Sequence, residues 1–375
     1  MVRACGGADP AARLESDSLP AGAPSRGARL SFARAARIAD GHDVNERRRP
    51  NPVLRLARWT LIVAGAVLIP SCAAWVLSAH LYLLDMIAAF SAQISLAAFG
   101  VGAALLAVRP RVLGGVTVAA AALAMVPVVS GRALTVSDRQ SVREVVVVVF
   151  NMYPRNRSWG TDLRVMGARD PDVLVIPEIP TDMNRAIRWH GFLDGTTYEH
   201  WRYRFDTPGF ILSKHPITRI DPEDPRTPIA PDEHGKTDLT CIVHHPDGDF
   251  VVSLVHPLSP RGAARWREGT ERLGRRLAAL EGLRLGSDMP VILGADLNAS
   301  YAQHRARLVR DAGFTPAKPL WPIRGGTFPV GTPGVFRPAI DDVWVSPGVG
   351  VRSWSLLPSV GSDHMGVITR LGLPE

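Results

Sequence analysis

The chain has 375 residues, of which 46% are hydrophobic, and it carries a formal net charge of +8. Its three cysteines, Cys5, Cys72 and Cys241, lie far apart without a C-x-x-C pair, so neither a disulfide framework nor a zinc knuckle is indicated. Residues 1–139 contain 15 Lys and Arg against 8 Asp and Glu, a balance of +7, whereas residues 140–375 contain 28 against 27, a balance of +1. The C-terminal part therefore lacks the basic surplus of a nonspecific DNA-binding domain.

The N-terminal part combines a polar tail with three apolar runs. Residues 1–55 are rich in Ala, Gly, Arg, Ser and Pro, which predicts a disordered basic tail rather than a cleavable signal peptide. Apolar runs follow at 59–79, about 81–108 and 112–129. Each reaches or approaches the ~20 residues that cross a bilayer. A buried helical bundle is the alternative, but so few charges favour three transmembrane helices within residues 56–130.

The charges that flank the apolar runs predict their orientation. Arginines cluster at 47–58 and recur at Arg109 and Arg111, whereas residues 80–85 contain neither Lys nor Arg. By the positive-inside rule, the tail and the turn at Arg109 and Arg111 are cytoplasmic. Three spans then place the rest of the chain outside the cytoplasm. The second run is the weak point, because Asp85 and Gln93 would also fit a shorter or re-entrant segment, and the loss of one span would reverse this orientation.

The soluble domain is predicted over residues 145–375, after a polar linker at 131–144. It opens with five valines and a phenylalanine at 145–150, a pattern typical of a central strand buried on both faces. Helical periodicity is clearest at 261–283, and Pro-Asp-Gly at 246–248 predicts a hairpin. Further strands are predicted at 172–176, 209–213, 238–244, 249–256, 291–295, 340–345 and 366–371. This mixture favours an α/β domain with two packed sheets and helices outside.

Polar side chains stand at six of the predicted strand ends. Asp296 and Asn298 follow the run Pro-Val-Ile-Leu-Gly at 290–294, and residues two apart at a strand end point the same way. An Asx turn would explain this pair alone. Polar side chains also stand at the other predicted strand ends, which carry Asn151, Glu178, His256, Asp341, and Asp363 with His364. Turn chemistry alone would not place so many such residues there.

This order of motifs resembles the endonuclease/exonuclease/phosphatase superfamily, metal-dependent phosphoesterases that share a four-layer αββα sandwich. The resemblance covers about residues 145–372. The matching stretches are Phe-Asn-Met-Tyr at 150–153, Pro-Asp-Val-Leu-Val-Ile-Pro-Glu at 171–178, Gly-Phe-Ile-Leu-Ser-Lys-His-Pro-Ile at 209–217, Ser-Leu-Val-His at 253–256, Gly-Ala-Asp-Leu-Asn at 294–298, Gly-Gly-Thr-Phe at 325–328, Ile-Asp-Asp-Val at 340–343 and Ser-Asp-His at 362–364.

The resemblance implies a Mg²⁺ or Mn²⁺ site. Glu178 would be its main protein ligand, with Asn151 beside it and Asp363 supporting the metal or its waters. A few carboxylate and amide oxygens suit Mg²⁺, which keeps several waters. The family commonly has an acidic or amide residue two positions after the first Asn, where this chain has Tyr153. Asn156 would compensate, or the metal site would have fewer ligands.

The resemblance also implies the residues that handle protons and phosphate. His364 would be the general acid/base, oriented by Asp341, because a carboxylate behind an imidazole fixes its tautomer and stabilises the imidazolium. Asp296 and Asn298 would position the attacking water and a phosphate oxygen. His256 would stabilise the phosphate, although Pro257 makes a simple strand end a credible alternative for this histidine.

The predicted function is that of a membrane-anchored phosphoesterase acting outside the cytoplasm on a lipid-linked phosphate or a phospholipid. The layout resembles membrane-tethered bacterial members associated with resistance to glycopeptide antibiotics, which suggests cell-envelope phosphates or undecaprenyl-type pyrophosphates. An extracytoplasmic nuclease is an alternative, disfavoured by the near-neutral domain. A catalytically weak binding domain is another alternative, suggested by Tyr153 and by Ala339, which replaces a usual basic residue. The site residues that are retained argue against it, namely Glu178, Asp296, Asn298, Asp341 and His364. Phe328, in place of a usual Trp, is a mild departure.

Overall fold

A computed structural model describes residues 51–108, 110–132, 143–183, 200–204, 209–221, 239–320 and 325–374. Residues Leu56–Glu375 form one compact unit. Nearly all of the tail predicted over residues 1–55 and most of the linker predicted over residues 131–144 lie outside the described residues. The described part comprises apolar N-terminal helices and a C-terminal α/β domain.

Three N-terminal segments are long and apolar enough to cross a membrane. The first is helix α1 (Pro52–Ala73) with a 3-10 turn that extends it to Val76. The others are α3 (Ser91–Val108) and α4 (Arg111–Val129). Only 17–33% of their most apolar windows is buried within the protein, and Val112, for example, is 81% exposed. Apolar helix surfaces of this kind suit a lipid environment.

A short helix, α2 (Tyr82–Ala88), separates the first two segments and packs on the C-terminal domain. The sequence predicts one continuous span over residues 81–108, whereas the structure divides this stretch into α2 and α3. Asp85 accounts for the division. Its buried carboxylate accepts hydrogen bonds from Trp266 Nε1 at 2.8 Å and from the His304 amide at 2.7 Å. A buried carboxylate requires such donors, and only the domain supplies them here.

The C-terminal domain contacts one end of each of the three apolar segments. Arg307 donates a hydrogen bond to the Trp75 carbonyl at the end of the first segment, at 2.8 Å. Ser300 donates to the Ala89 carbonyl just ahead of α3, at 2.9 Å. Arg132, which follows α4, donates to two carbonyl groups of the domain. The end of the first segment, the start of α3 and the end of α4 therefore lie beside the domain.

Two six-stranded mixed sheets form the C-terminal domain. The strands are β1 (Arg143–Val149), β2 (Val173–Ile176), β3 (His200–Arg204), β4 (Gly209–Ser213), β5 (Ile217–Arg219), β6 (Thr240–Val243), β7 (Phe250–Val255), β8 (Val291–Asp296), β9 (Thr315–Pro316), β10 (Asp341–Val345), β11 (Gly350–Leu357) and β12 (Gly366–Leu373). One sheet has the order β11-β12-β1-β2-β4-β3, and the other has the order β5-β6-β7-β8-β10-β9. The pairs β1–β2 and β7–β8 are parallel, and the other pairs are antiparallel.

Both faces of each sheet are buried, which produces four layers. Val147 of β1 packs between the sheets, whereas Val148 points the other way, toward helix α5 (Trp159–Gly167). Helices α6 (Ala263–Gly286) and α7 (His304–Asp311) cover the outer face of the second sheet through an apolar cluster. Because successive side chains of a strand point to opposite faces of the sheet, one valine run contributes to two hydrophobic cores. The predicted αββα sandwich is confirmed.

Most of the predicted elements of the domain correspond to observed ones. The strand predicted at 209–213 is β4, the helix predicted at 261–283 is α6, and the strands β6 and β7 pair antiparallel around the turn predicted at 246–248. Four strands were not predicted, namely β3, β5, β9 and β11. Each of the four lies at an edge of its sheet.

Candidate active site

One edge of the two sheets collects polar side chains from both. Asn151 follows β1, Glu178 lies just beyond β2, His256 follows β7, and Asp296 ends β8. The parallel pairs β1–β2 and β7–β8 bring these carboxyl-terminal ends together. β10 runs antiparallel to β8, so that its first residue, Asp341, lies directly opposite Asp296. The topology therefore delivers residues that are distant in sequence to one edge.

Seven of the eight predicted site residues line a single cavity of ≈ 540 Å³ at this edge. They are Asn151, Glu178, His256, Asp296, Asn298, Asp363 and His364. The eighth, Asp341, is fully buried behind His364. We call this space the catalytic cavity.

A hydrogen-bonded pair of Asp341 and His364 forms one wall of the catalytic cavity. Asp341 Oδ2 lies 2.9 Å from His364 Nδ1. The backbone amide of Asp341 donates to Thr327 Oγ1 at 3.1 Å, and the backbone amide of His364 donates to Ser362 Oγ at 3.0 Å. The Phe328 ring centroid lies 4.7 Å from that of His364. These contacts fix the imidazole with its Nε2 side available to the cavity.

The pKa values of the two residues favour a proton on His364 over a proton on Asp341. Burial lowers the pKa of His364, but the neighbouring carboxylates of Asp341, Asp296 and Asp363 raise it to about 9 overall. Burial raises the pKa of Asp341, and the charge of His364 opposes that rise. Since an ordinary histidine has a pKa near 6.5, this raised pKa favours an imidazolium on His364 at neutral pH.

Asp296 is the centre of a second hydrogen-bond network. It is 1% exposed, and its Oδ2 accepts a hydrogen bond from Asn151 Nδ2 at 2.8 Å. Its Oδ1 accepts from the backbone amide of Asn298 at 2.8 Å, which closes an Asx turn in which Asn298 has a φ of 50°. His256 Nε2 lies 3.6 Å from Asp296 Oδ2, while its Nδ1 lies 3.2 Å from the Pro177 carbonyl. The network holds the Asp296 carboxylate in one orientation.

The donor set around Glu178 fits a divalent cation. Glu178 is half-buried on the cavity wall, and no described residue forms a hydrogen bond or ion pair with its carboxylate. Asp363 Oδ1 is buried without a hydrogen-bond partner among the described residues. Asn151 Oδ1 accepts one bond, from the Tyr153 amide at 3.0 Å, and keeps a second lone pair. Carboxylate and amide oxygens are the donors that Mg²⁺ and Mn²⁺ prefer.

A second group, Asp296, Asp341 and His364, could also hold a metal by distance alone, since its ligand atoms lie within 4.8 Å of one another. We interpret this group as a proton-transfer centre instead. His364 Nδ1 and Asp341 Oδ2 already bind each other, and Asp296 is bound by Asn151. A cation placed between them would have to break these contacts.

The departures from the family pattern have distinct structural outcomes. Asn156 does not compensate for Tyr153, because both ends of its side chain are engaged away from the cavity, with Asp162 Oδ2 at 2.7 Å and the Ser158 amide at 2.7 Å. Tyr153 itself lines the catalytic cavity and has a φ of 60°. Ala339 packs against the second sheet and lines a different cavity.

Three arginines at the mouth of the catalytic cavity were not among the predicted site residues. Arg155 lies on the loop after β1, Arg261 lies just before α6, and Arg265 lies on the first turn of α6. All three are exposed, and they add positive charge to a cavity whose interior is acidic. Exposed arginines are common on protein surfaces, so nothing in the sequence distinguishes these three from the others.

Comparison with known proteins agrees with this geometry. The model of the Endonuclease/Exonuclease/phosphatase family matches residues 159–364. No curated protein matches the sequence.

Solved structures with a similar fold share little sequence with this chain. They include an endonuclease/exonuclease/phosphatase from Beutenbergia cavernae DSM 12333, with 19% identity over 62% of this chain and 72% of that chain and a TM-score of 0.43. The human Nocturnin catalytic domain with bound sulfate has 17% identity over 63% of this chain and 99% of that chain, with a TM-score of 0.44. The 3′ phosphatase NExo from Neisseria, bound to a product DNA hairpin, has 13% identity over 60% of this chain and 98% of that chain, with a TM-score of 0.47.

The family model spans more than half of the chain, from helix α5 to His364. The chain therefore belongs to the endonuclease/exonuclease/phosphatase family, whose members are hydrolases of phosphate esters.

Proposed function

We propose that the protein is a membrane-anchored, divalent-metal-dependent phosphoesterase that hydrolyses a lipid-linked phosphate ester or pyrophosphate, or a phospholipid, on the extracytoplasmic face of the cell membrane. One observation carries the chemistry. His364, held by Asp341, lines a single cavity together with the fixed carboxylate of Asp296 and the half-buried carboxylate of Glu178.

Proton transfer would be divided between His364 and Asp296. The imidazolium of His364 would donate a hydrogen bond to the phosphate and a proton to the leaving oxygen, while Asp341 stabilises its charge. Asp296, held by Asn151, would accept the proton of the attacking water. Asn298 would orient a phosphate oxygen, since its Nδ2 already donates to the Pro257 carbonyl at 3.2 Å and is thereby fixed.

Glu178, Asn151 and Asp363 would hold the metal, Mg²⁺ or Mn²⁺. When bound, such a cation neutralises phosphate charge and polarises the ester toward in-line attack. Its protein ligands also set where the phosphate lies. Glu178 and His364 both line the catalytic cavity, so a phosphate there would contact both sides of the site.

The three mouth arginines would bind the phosphate groups that are not attacked. Arg265 lies on the first turn of α6, where the helix dipole adds partial positive charge. Arg155 lies on the loop from the first sheet. A pyrophosphate or a phosphodiester headgroup carries more than one anionic group, and it would therefore engage both the cavity and its mouth.

The contacts of the domain with the apolar segments support an odd number of spans. The domain touches the end of the first segment, the start of α3 and the end of α4, which lie on one side in an up-down-up arrangement. The opposite ends carry the arginines at Arg55 and Arg58 and at Arg111. By the positive-inside rule that side is cytoplasmic, and the domain is then extracytoplasmic.

A second cavity supports a lipid substrate. It has a volume of ≈ 320 Å³ and lies between the start of α3, the end of α4 and the domain. Leu96, Met125 and Val128 contribute apolar surface from the helices, and Gly326 and Ala339 line it from the domain. Gly326 precedes Thr327, whose hydroxyl accepts the Asp341 amide, and Phe328, whose ring lies beside His364, so one loop separates an apolar space from the catalytic cavity.

The layout resembles family members associated with glycopeptide resistance. This resemblance favours a cell-envelope lipid of the undecaprenyl pyrophosphate type as the substrate. The nuclease alternative requires a polymer to reach a mouth that lies close to the apolar segments. Tyr82 on α2 donates a hydrogen bond to the Pro260 carbonyl at 2.9 Å, next to the mouth residue Arg261. This proximity favours a substrate held at the membrane surface.

The full chain, purified in detergent and reconstituted into lipid bilayers, tests the proposal. We expect Mg²⁺-dependent phosphate release from a bilayer containing a polyprenyl pyrophosphate or phosphatidic acid, and much slower hydrolysis of DNA. Faster cleavage of DNA than of any lipid would replace the lipid proposal with the nuclease. Metal-dependent binding without turnover of any substrate would favour the catalytically weak binding domain.

A further inference from the structure

Asp172, His215 and His245 form a cluster at the edge of the sheets opposite the catalytic cavity. Their ligand atoms lie within 4.8 Å of one another. Asp172 immediately precedes β2, whose other end leads to Glu178, so the cluster lies about 20 Å from the catalytic cavity. None of these three residues takes part in the proposed phosphoesterase chemistry.

The backbone brings the three residues together from both sheets. His215 lies on the crossover between β4 and β5, and β4 pairs with β2 so that the end of β4 lies beside Asp172. His245 follows β6, whose end pairs with the start of β5. Asp172 thus belongs to the first sheet, His245 to the second, and His215 to the connection between them.

The side chains converge on a common point. His215 Nε2 lies 3.6 Å from Asp172 Oδ1, and it is buried without a hydrogen-bond partner among the described residues. The rings of His215 and His245 meet edge to face with centroids 4.4 Å apart. Asp172 keeps Oδ1 for this contact, because its Oδ2 accepts the Val146 amide at 2.8 Å. The side chains are only 10–19% exposed.

The surrounding charges are compatible with a cation. Lys214 Nζ lies 3.9 Å from Asp172 Oδ1, but it binds the carboxylate of Asp170 at 2.6 Å. Asp247 Oδ2 lies 3.7 Å from His245 Nδ1. His245 Nδ1 accepts a hydrogen bond from the backbone amide of Asp247 at 3.1 Å when no metal is bound. When a metal binds Nε2 of a histidine, Nδ1 carries the proton, so at His245 this amide contact would be replaced by a hydrogen bond from Nδ1 to the nearby Asp247 carboxylate.

We propose that Asp172, His215 and His245 bind a Zn²⁺ ion that links the two sheets. Two imidazoles and one carboxylate suit Zn²⁺ and similar transition metals, whereas the all-oxygen set of the catalytic cavity suits Mg²⁺ or Mn²⁺. Three protein ligands leave a fourth position for water. The ion would act as a structural clamp between strands β2, β4 and β6, separate from the catalytic metal.

Metal content and Co²⁺ absorption of the full chain in detergent test this site. The chain is stripped with a chelator, then given Zn²⁺ in excess Mg²⁺ so that the catalytic cavity is occupied. We expect one tightly bound Zn²⁺ per chain, and visible d–d bands of a low-symmetry site when Co²⁺ replaces it. His215→Ala and His245→Ala should each weaken binding at least about 100-fold.

His244→Ala is the matched control. His244 neighbours His245, but its ring contacts Asp249 at 2.9 Å and Thr218 at 2.9 Å instead of the cluster. This variant should bind Zn²⁺ as the unaltered chain does. His215→Gln and His245→Gln, which keep more side-chain volume than alanine, guard against a folding defect and should lose the metal equally. Equal Zn²⁺ binding by the unaltered chain and by both glutamine variants would overturn the proposal, as would the absence of Zn²⁺ binding in excess Mg²⁺.

Thermal unfolding provides a readout that is independent of hydrolysis. A ligand at 100 times its dissociation constant should raise the melting temperature of the unaltered chain by roughly 5–10 °C. Zn²⁺ should not raise the melting temperature of the His245→Gln variant. A similar rise in both proteins would place the stabilising ion elsewhere and overturn the assignment.

Discussion

The pair Asp341–His364 gives the sharpest test of the proposed chemistry. Asp341 is fully buried and bonds His364 Nδ1 at 2.9 Å, so the substitution Asp341→Asn preserves size while it removes the charge. An asparagine cannot stabilise the imidazolium as a carboxylate does. The pKa of His364, about 9 in the intact protein, should then fall, because burial alone lowers it.

The expected loss follows from the proton that His364 holds. General acid catalysis contributes roughly 10²–10⁴-fold to a hydrolysis rate, and the variant would hold less of the imidazolium at a given pH than the unaltered chain does. We therefore expect Asp341→Asn and His364→Ala each to lower kcat about 10³-fold, or roughly 4 kcal/mol of transition-state stabilisation. Because the two side chains act as one unit, the double variant should lose about as much as either single variant.

The assay is Mg²⁺-dependent phosphate release by the full chain from a lipid bilayer, with kcat measured for the four members of the double-mutant cycle. Asp342→Asn provides a matched control. Asp342 is equally buried on the same strand, but it points to the opposite face, where its carboxylate accepts Tyr301 Oη at 2.8 Å and Trp354 Nε1 at 2.9 Å. This variant should lower stability and leave the pH dependence of kcat unchanged.

Additive losses in the double variant, about 10⁶-fold in total, would refute the reasoning, because the two side chains would then act separately. A pH profile of kcat that is identical in the unaltered chain and in Asp341→Asn would refute it as well. Loss of activity in Asp342→Asn equal to that in Asp341→Asn would indicate that burial of charge, and not contact with the histidine, determines the rate.

Three further predictions concern the metal, the topology and the attachment of the domain. Glu178→Gln should abolish most Mg²⁺-dependent turnover without changing the melting temperature, since the side chain lies at the cavity wall; undiminished turnover would remove Glu178 from the metal site. A reporter that is active only when exported should be active after Ser130 and silent after Arg111, and the reverse pattern would place the domain in the cytoplasm. Asp85→Ala should destabilise the chain by roughly 2–5 kcal/mol, because buried donors lose their acceptor, and should speed amide hydrogen exchange near Trp266; unchanged exchange would mean that α2 is not anchored there.

The central strands could be predicted from the sequence, and the edge strands could not, for a physical reason. A strand buried on both faces needs apolar residues at nearly every position, as in the valine run of β1, and such runs are visible without the fold. An edge strand packs less completely. β11 contains Arg352 and two serines, and most of its residues are only half-buried, so its sequence carries little periodic signal.

The candidate site was predictable to the extent that its residues follow central strands. Asp296 and Asp341 were identifiable because each adjoins an apolar run within a motif. The register that places them opposite each other required the structure, since pairing partners are not encoded locally. Arg155 at the mouth and His245 in the second cluster depend on loop positions, which no periodicity predicts.

The attachment of the domain to the apolar segments changes how a substrate would reach the site. A linker alone would leave the domain free to turn, and the mouth could then face any direction. Asp85 instead ties α2 to the start of α6, and Arg307 ties the end of the first segment to α7. These contacts fix the loop at Pro260 and the mouth residue Arg261 relative to the apolar helices. A phosphate that is itself anchored in the membrane would meet the mouth in one orientation, whereas a soluble polymer would gain nothing from that constraint. The fixed geometry would therefore suit the proposed membrane-anchored substrate better than a soluble polymer.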